Sequence, residues 1–333
     1  MKAGMSSPPI SVAMSVYNGE RFLDEAIASV RAQSFADFEF LILDDGSNDG
    51  SRAIIERHAA QDRRIRPIIR ENRGLIASLN QMLDEARGPL IARMDADDVC
   101  LPHRFERQIA FLAAHPDYAV VGSAALDIDE HGAPFPAPDH PPPEWHEDVL
   151  KYIEVRTPLC HPAVMARRAV LLNAGGYHRA YRHCEDYDLW LRIASRARIG
   201  NLAEPLLKYR RYAEQISSRH AVEQTIGAAI AVSAYHERLA GRPDPTEHLD
   251  RLPPIDELDT LFGRSGIAQA VRARVANGLL YSPVALRGEG FDLLLRHVGD
   301  GGRGEALWRT VPRLVRLGEP RRAVRLAAAL ARA

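Results

Sequence analysis

Cysteine is scarce in this chain of 333 residues. Its three cysteines, Cys100, Cys160 and Cys184, are too scattered for a disulfide framework or a Cys-x-x-Cys metal knuckle, which suits a reducing compartment. Long apolar runs are missing too: no stretch approaches about 18 consecutive apolar residues, so no membrane span is expected. The segment Met1 to Pro9 lacks the apolar core of a signal peptide. Charge excess is absent, with 43 Lys and Arg against 44 Asp and Glu for a net charge of −1, which removes the global basic field of a nucleic-acid binder. A G-x-G-x-x-G fingerprint is missing after the first strand-like run, where Tyr17-Asn18-Gly19-Glu20 stands instead. A dinucleotide-binding reading therefore loses its main support. The same stretch offers no glycine-rich, Lys/Arg-bearing phosphate loop, which counts against a nucleotidyltransferase. No internal repeat is evident.

What is present is a globular composition, 46% hydrophobic and 26% charged, long enough for one large domain plus a smaller appendage. Apolar strand-like runs at 10–17, 38–43, 65–69 and 89–94 alternate with helical patterns at 20–32, 51–60 and 75–86. That alternation predicts a mostly parallel sheet with right-handed crossovers. A helix at 102–114, a long strand at 118–128, a proline-rich loop at 132–143 containing Asp139-His140 and a short helix within 145–155 follow. Then come an extended segment at 161–166, helices at 168–174 and 185–194, and an extended run at 199–209. From about Ala213 the pattern is almost entirely helical, with breaks near 241–245, 253–254 and 299–304.

The densest chemistry lies in Arg93-Met94-Asp95-Ala96-Asp97-Asp98, three carboxylates in four residues at the end of the fourth strand. Open α/β sheets bind ligands at the carboxyl ends of their strands. Clustered carboxylates repel unless a cation lies between them, and hard oxygen donors favour Mg²⁺ or Mn²⁺ over Zn²⁺. An acidic surface turn leading into a helix N-terminus is the plainer alternative.

Read together, Ser15-Val16-Tyr17-Asn18-Gly19, Asp44-Asp45-Gly46-Ser47, Asn72-Arg73-Gly74, Asp95-Ala96-Asp97-Asp98, Gly175-Gly176-Tyr177 and Glu185-Asp186 occur in one order with sensible spacing. Over residues 8 to 218 this resembles the family 2 inverting glycosyltransferases of the GT-A fold, which use nucleotide-diphosphate sugars. The resemblance implies an α/β/α catalytic domain over 1–218 and leaves 219–333 as a helical region for packing, oligomerisation or membrane-surface contact. It implies that Tyr17 and Asp45 hold the nucleotide base with Ser15 and Glu20 close by, a pairing that hints at uracil, and that Arg73 approaches the nucleotide or its phosphates. It gives Asp95 to the ribose, Asp97 to a Mg²⁺ or Mn²⁺ ion with Asp98 as the alternative ligand, Asp186 to the catalytic base and Glu185 to orienting it or the acceptor. The plainer reading of the last pair is a solvated first turn, with Asp188 a third member.

One departure stands out. Many relatives carry a histidine shortly after the Tyr-Arg pair; here Tyr209-Arg210-Arg211 is followed by Tyr212. A phosphate role then falls to Arg210 or Arg211, and metal dependence is less secure. Cys160-His161 and His183-Cys184 match no common zinc module, and His161 is expected beside the acceptor cleft. Toward the end, arginines recur beside Leu307, Val311, Leu314, Val315 and Leu317, a basic amphipathic pattern able to pack on the protein or a second subunit, or to lie on an anionic membrane. The expectation is a cytoplasmic enzyme, at most peripheral to the inner face of a membrane, in bacterial-type cell-surface polysaccharide synthesis. It takes a nucleotide-sugar donor and a glycan or lipid-linked glycan acceptor and does not bind nucleic acid. A catalytically silent nucleotide-sugar module is the other alternative.

Overall fold

Strand β1 (Ile10–Val16) and strand β2 (Phe38–Asp45) are buried along their whole lengths or nearly so, as strands covered by helices on both faces must be. A computed structural model of the chain describes residues 7–136, 141–212 and 220–332. The Asp139-His140 pair, the start of the helical run at Ala213 and the expected domain boundary after 218 lie outside the described residues. Helix α1 (Glu20–Arg31) buries Leu23, Ala26, Ile27 and Val30, the i, i+3, i+4, i+7 stripe of a core-facing helix. Helix α2 (Ser51–Gln61), strand β3 (Ile65–Arg70), helix α3 (Leu75–Glu85) and strand β4 (Leu90–Met94) complete the alternation.

The strands β3, β2, β1 and β4 lie side by side and all parallel, in register Val16 with Asp44 and Met14 with Met94. Their carboxyl ends therefore reach one edge of the sheet, which brings Tyr17, Asp45 and Asp95 to a common rim. Beyond β4 the sheet is mixed rather than parallel. Short strands β5 (Val99–Cys100) and β7 (Met165–Arg167) and long strands β6 (Tyr118–Ile128) and β8 (Arg198–Arg210) extend it in the order β4-β7-β6-β8-β5. Ladders β4–β7, β7–β6 and β8–β5 are antiparallel, and β6–β8 is parallel. Strands of two and three residues carry no readable period, so their antiparallel pairing leaves no trace in the sequence; the expected mostly parallel sheet holds, since the long β6–β8 ladder is parallel like the first four strands.

A buried polar pair joins the halves. Helix α4 (Arg104–Ala114) places Arg104 and Gln108 one turn apart and out of solvent. Arg104 donates to the carbonyls of Arg93 and Val164 at 2.7 and 3.0 Å, and Gln108 to those of Ala163 and Val121 at 2.7 and 3.1 Å. These side chains complete the backbone pairing beneath the acidic cluster.

The described residues form two compact units, one comprising residues up to 178 with 189–212, the other 179–188 with 220–332. In the second, helices Ile267–Leu279, Gly290–Gly299, Glu305–Arg316 and Pro320–Arg332 share a core of Ala276, Phe291, Leu294, Leu307, Leu314 and Leu326. The apolar stripe of the basic terminal segment is thus two helices, broken at Gly318 (φ +78°), and both are packed into their own unit. Arg313 and Arg322 add to that packing by donating to the carbonyls of Leu280 and Leu286. Trp308 stays half exposed. No helix among the described residues is long and apolar enough to cross a membrane.

Candidate active site

The loops that follow β1, β2 and β3 are tied to one another by their own short polar side chains. Asn18, in the left-handed region at φ +52°, accepts from the Asn48 amide at 2.9 Å, and its own amide donates to Ser47 Oγ at 3.0 Å. Glu20 accepts from the Gly50 amide while its own N–H donates to Asp49, a reciprocal cap joining α1 to the loop before α2. Gly46 (φ +80°) runs so close to the Asn72 backbone that an added Cβ would lie 2.6 Å from its nitrogen. Asp45, almost fully buried, accepts from the amides of Arg73 and Gly74 at 3.0 and 2.8 Å and pairs with Arg70 at 2.8 Å.

The residues expected at the nucleotide are thereby sorted. Tyr17 stands 57% exposed at the rim, with its ring available as a stacking face. Ser15 sits two residues before it on β1. Arg73 holds its place through its backbone and leaves its guanidinium in solvent. Asp45 and Glu20 shape the loops first; Asp45 retains about one of its four acceptor positions for a ligand.

Asp95, Asp97 and Asp98 bring carboxylate oxygens within 4.8 Å of one another. Arg93, almost completely buried, forms an ion pair with Asp95. The Arg210 amide donates to Asp98 Oδ1 at 2.8 Å, and the Tyr212 hydroxyl donates to Asp97 Oδ2 at 2.8 Å. Asp98 Oδ2 is buried with no hydrogen-bond partner among the described residues. Burial, then the charge of Asp95, pushes the Asp97 carboxyl up to about 6; burial, Asp95 and Asp97 raise Asp98 well above the usual range. A turn made only for solvent would bury neither its acids nor an orphan oxygen. A divalent cation accepting these hard oxygens fits the donor set.

That crowding has a pH signature. An acid with a folded-state value near 6 and an unfolded value near 3.8 binds its proton more tightly in the fold, so its stabilisation is complete below 3.8 and lost as pH rises through about 6. A cation competes with that proton. In thermal-unfolding scans Mn²⁺ should raise Tm increasingly from about pH 5 to about pH 7. A shift that is flat across this range would count against metal binding at Asp97.

Arg210, expected at the phosphates, is spent elsewhere. Its guanidinium is buried, donates to the Asp97 carbonyl at 2.8 Å and to Glu25 at 2.7 Å, and lies over the Phe22 ring at 4.5 Å. It locks the end of β8 to the acidic turn. Arg211 is exposed and bonded to Asp127 at 2.7 Å. Sequence reading singled out neither Arg93 nor Tyr212 as a site residue. Tyr212 stood out only as the residue in the place of a histidine, and it does contact the cluster.

Helix α5 (Glu185–Ala194) begins with the acid pair. Its first turn is not a solvated one: Glu185 is 6% exposed and Asp188 fully buried. Asp186 is half-buried and accepts from the Tyr187 amide at 2.7 Å. The Gly175-Gly176-Tyr177 stretch is held by Asn80, whose side chain exchanges two 2.8 Å bonds with the Tyr177 backbone. His161 is 3.0 Å from the Tyr177 hydroxyl, and burial and Arg93 keep its ring neutral. The Cys160 and Cys184 thiols are pushed up by burial and nearby carboxylates, away from the thiolate form that zinc requires.

The glycosyl transferase family 2 profile matches residues 11–176, the stretch that contains the interlocked loops and the acidic cluster. EpsE of Bacillus subtilis (strain 168) is 38% identical over 241 residues, covering 70% of this chain and 84% of EpsE. The chain belongs to glycosyltransferase family 2. The amylovoran biosynthesis glycosyltransferase AmsE of Erwinia amylovora is 32% identical to this glycosyltransferase over 213 residues, 63% of its length and 79% of AmsE. The fold is GT-A. It is shared with S. aureus TarS 1–349 in complex with UDP-GlcNAc, at a TM-score of 0.55 and 19% identity over 84% of this chain and 85% of that one. It is also shared with the mannosyltransferase PcManGT from Pyrobaculum calidifontis in complex with GDP-Man and Mn²⁺, at 0.53 and 16% over 97% and 87%.

Proposed function

We propose that this glycosyltransferase moves a sugar from a nucleotide diphosphate, uridine-based, to a hydroxyl of a sugar or lipid-linked glycan, with inversion at the anomeric carbon. Polysaccharide synthesis at the cytoplasmic face of a membrane is the setting this reading implies, in keeping with the name of AmsE. The observation that carries it is the three-carboxylate cluster with a buried oxygen left open at Asp98. Mg²⁺ or Mn²⁺ held there by Asp97 and Asp98 would offset the charge accumulating on a departing diphosphate.

The chain's own side chains supply the rest. Tyr17 covers the base, and the interlocked loops set its distance from the acidic turn, so the donor meets a site already in shape. Asp95, oriented by Arg93, accepts from the ribose hydroxyls. Arg73, the exposed cation of the rim, approaches the phosphates, a role that Arg210 is poorly free to take. Asp186 takes the proton of the acceptor hydroxyl as its oxygen attacks, and Glu185 orients it.

Uridine rests on the Tyr17 and Asp45 pair, since one structural neighbour holds UDP-GlcNAc and the other GDP-Man. A thermal-shift panel of nucleotide sugars with Mn²⁺ tests this. At about 100 times Kd a ligand adds roughly 2.7 kcal/mol of stability, so UDP sugars should raise Tm by several degrees and GDP sugars by far less. The reverse ranking would remove uridine and leave the rest standing.

A further inference from the structure

A second convergence of metal-binding side chains lies wholly within the helical unit. His183, His220 and Glu223 each offer one ligand atom, all within 4.8 Å of one another. The Glu223 carboxylate stands 3.6 Å from His183 Nε2 and 3.8 Å from His220 Nδ1. These separations are too long for hydrogen bonds. They are close to the ~3.3 Å that separates two ligands each about 2.0–2.1 Å from a tetrahedral ion.

The two rings are neighbours, but an ion shared by both imidazoles must lie in the plane of each, so one ring swings out of their stack to bind it. His183 and His220 stack with centroids 4.0 Å apart and planes 11° from parallel. His183 holds a left-handed backbone at φ +65°, and the Gln224 side chain fixes it by donating to its carbonyl at 2.8 Å. A strained backbone held in place by its surroundings is a recurring feature of ligand sites. His220 and Glu223 also line a cavity of about 1120 Å³ that has Arg182 and Asp250 on its walls, which gives an ion a way in.

We propose that His183, His220 and Glu223 form a second metal site, for a zinc-class transition ion. Two imidazoles with one carboxylate suit zinc and its neighbours, whereas the all-oxygen aspartate cluster suits Mg²⁺ or Mn²⁺. Cys184, adjacent in sequence, contributes nothing because its thiol is buried and its pKa raised. An ion here pins residues 179–188 to the first turn of the helix Ala221–Leu239. That segment carries Glu185 and Asp186, so the site braces the loop whose acids were assigned to acceptor chemistry without touching substrate itself.

The test is zinc content of the full chain after loading with Zn²⁺ and exhaustive dialysis with Mg²⁺ in excess. Wild type should retain one equivalent more than His183→Asn, His220→Gln and Glu223→Gln, with affinity in the variants lowered by more than about tenfold, the loss that even an outer-shell change can cause. Asn tolerates the left-handed backbone at 183. Glu223 is exposed, so the Glu223→Gln variant carries the test should a histidine variant lose its circular dichroism. Equal zinc content in wild type and Glu223→Gln, or no zinc in wild type, overturns the site. Because the readout is bound metal rather than turnover, its failure leaves the proposed transfer reaction untouched, and a failed transfer assay leaves the metal site untouched.

Discussion

Replacing Asp186 by Asn lowers kcat by about 10³, within the 10²–10⁴ range that a positioned general base contributes, while the donor KM stays within about twofold. The substitution is nearly isosteric, and an amide oxygen can still accept from the Tyr187 amide as the carboxylate does at 2.7 Å. What it cannot do is take a proton. If the acceptor hydroxyl gives its proton to this residue, the barrier rises in the chemical step alone, and the split between kcat and KM reports that. The measurement is release of nucleoside diphosphate under saturating donor, with far-UV circular dichroism as the control for folding. A kcat within about threefold of wild type sinks the base assignment. A wild type that binds UDP sugar but turns over no acceptor would instead favour a silent nucleotide-sugar module.

Asp97→Asn should cost about 10²–10³ in kcat/KM, taking the several kcal/mol that a metal ion supplies to a departing oxyanion at 1.36 kcal/mol per tenfold. It should also abolish activation by Mn²⁺. The same change removes the acid whose value burial and Asp95 push up to about 6, so the variant should be at least as stable as wild type in the absence of metal at pH 7. Loss of activity together with unchanged or higher Tm separates a metal ligand from a merely structural acid, whose removal would lower both. A variant still activated by Mn²⁺ to the wild-type extent would transfer the role to Asp98, whose partnerless Oδ2 is the other open oxygen.

The expectations that held are those written in short stretches of chain. The apolar runs of β1 and β2, the turn glycines after them and the carboxylates at the end of β4 each carry their meaning within a few residues. Parallel pairing then brings the ends of these strands to one rim with no further information. The sequence treats Arg210 and Arg211 alike, but the pair divides in the fold. One guanidinium turns inward to Glu25 and the Asp97 carbonyl, 185 and 113 residues away, and the other turns out to Asp127. Alternation along a strand sends neighbouring side chains to opposite faces, but which face meets the acidic turn depends on the β6–β8 ladder and its register shifts.

By itself, then, the sequence determined the family, the alternation of strand and helix and the place of the acidic cluster. Tertiary structure alone decided that β7 and β5 run antiparallel. It decided that Arg104 and Gln108 cap buried carbonyls, that Tyr212 meets Asp97, that the terminal amphipathic stripe packs inward, and that His183 meets His220. The physical reason is range. Hydrophobic period and turn chemistry act over a few residues and leave a local trace. The partner of a buried polar group is fixed by strand register and helix packing across a hundred residues or more, and no local pattern encodes it.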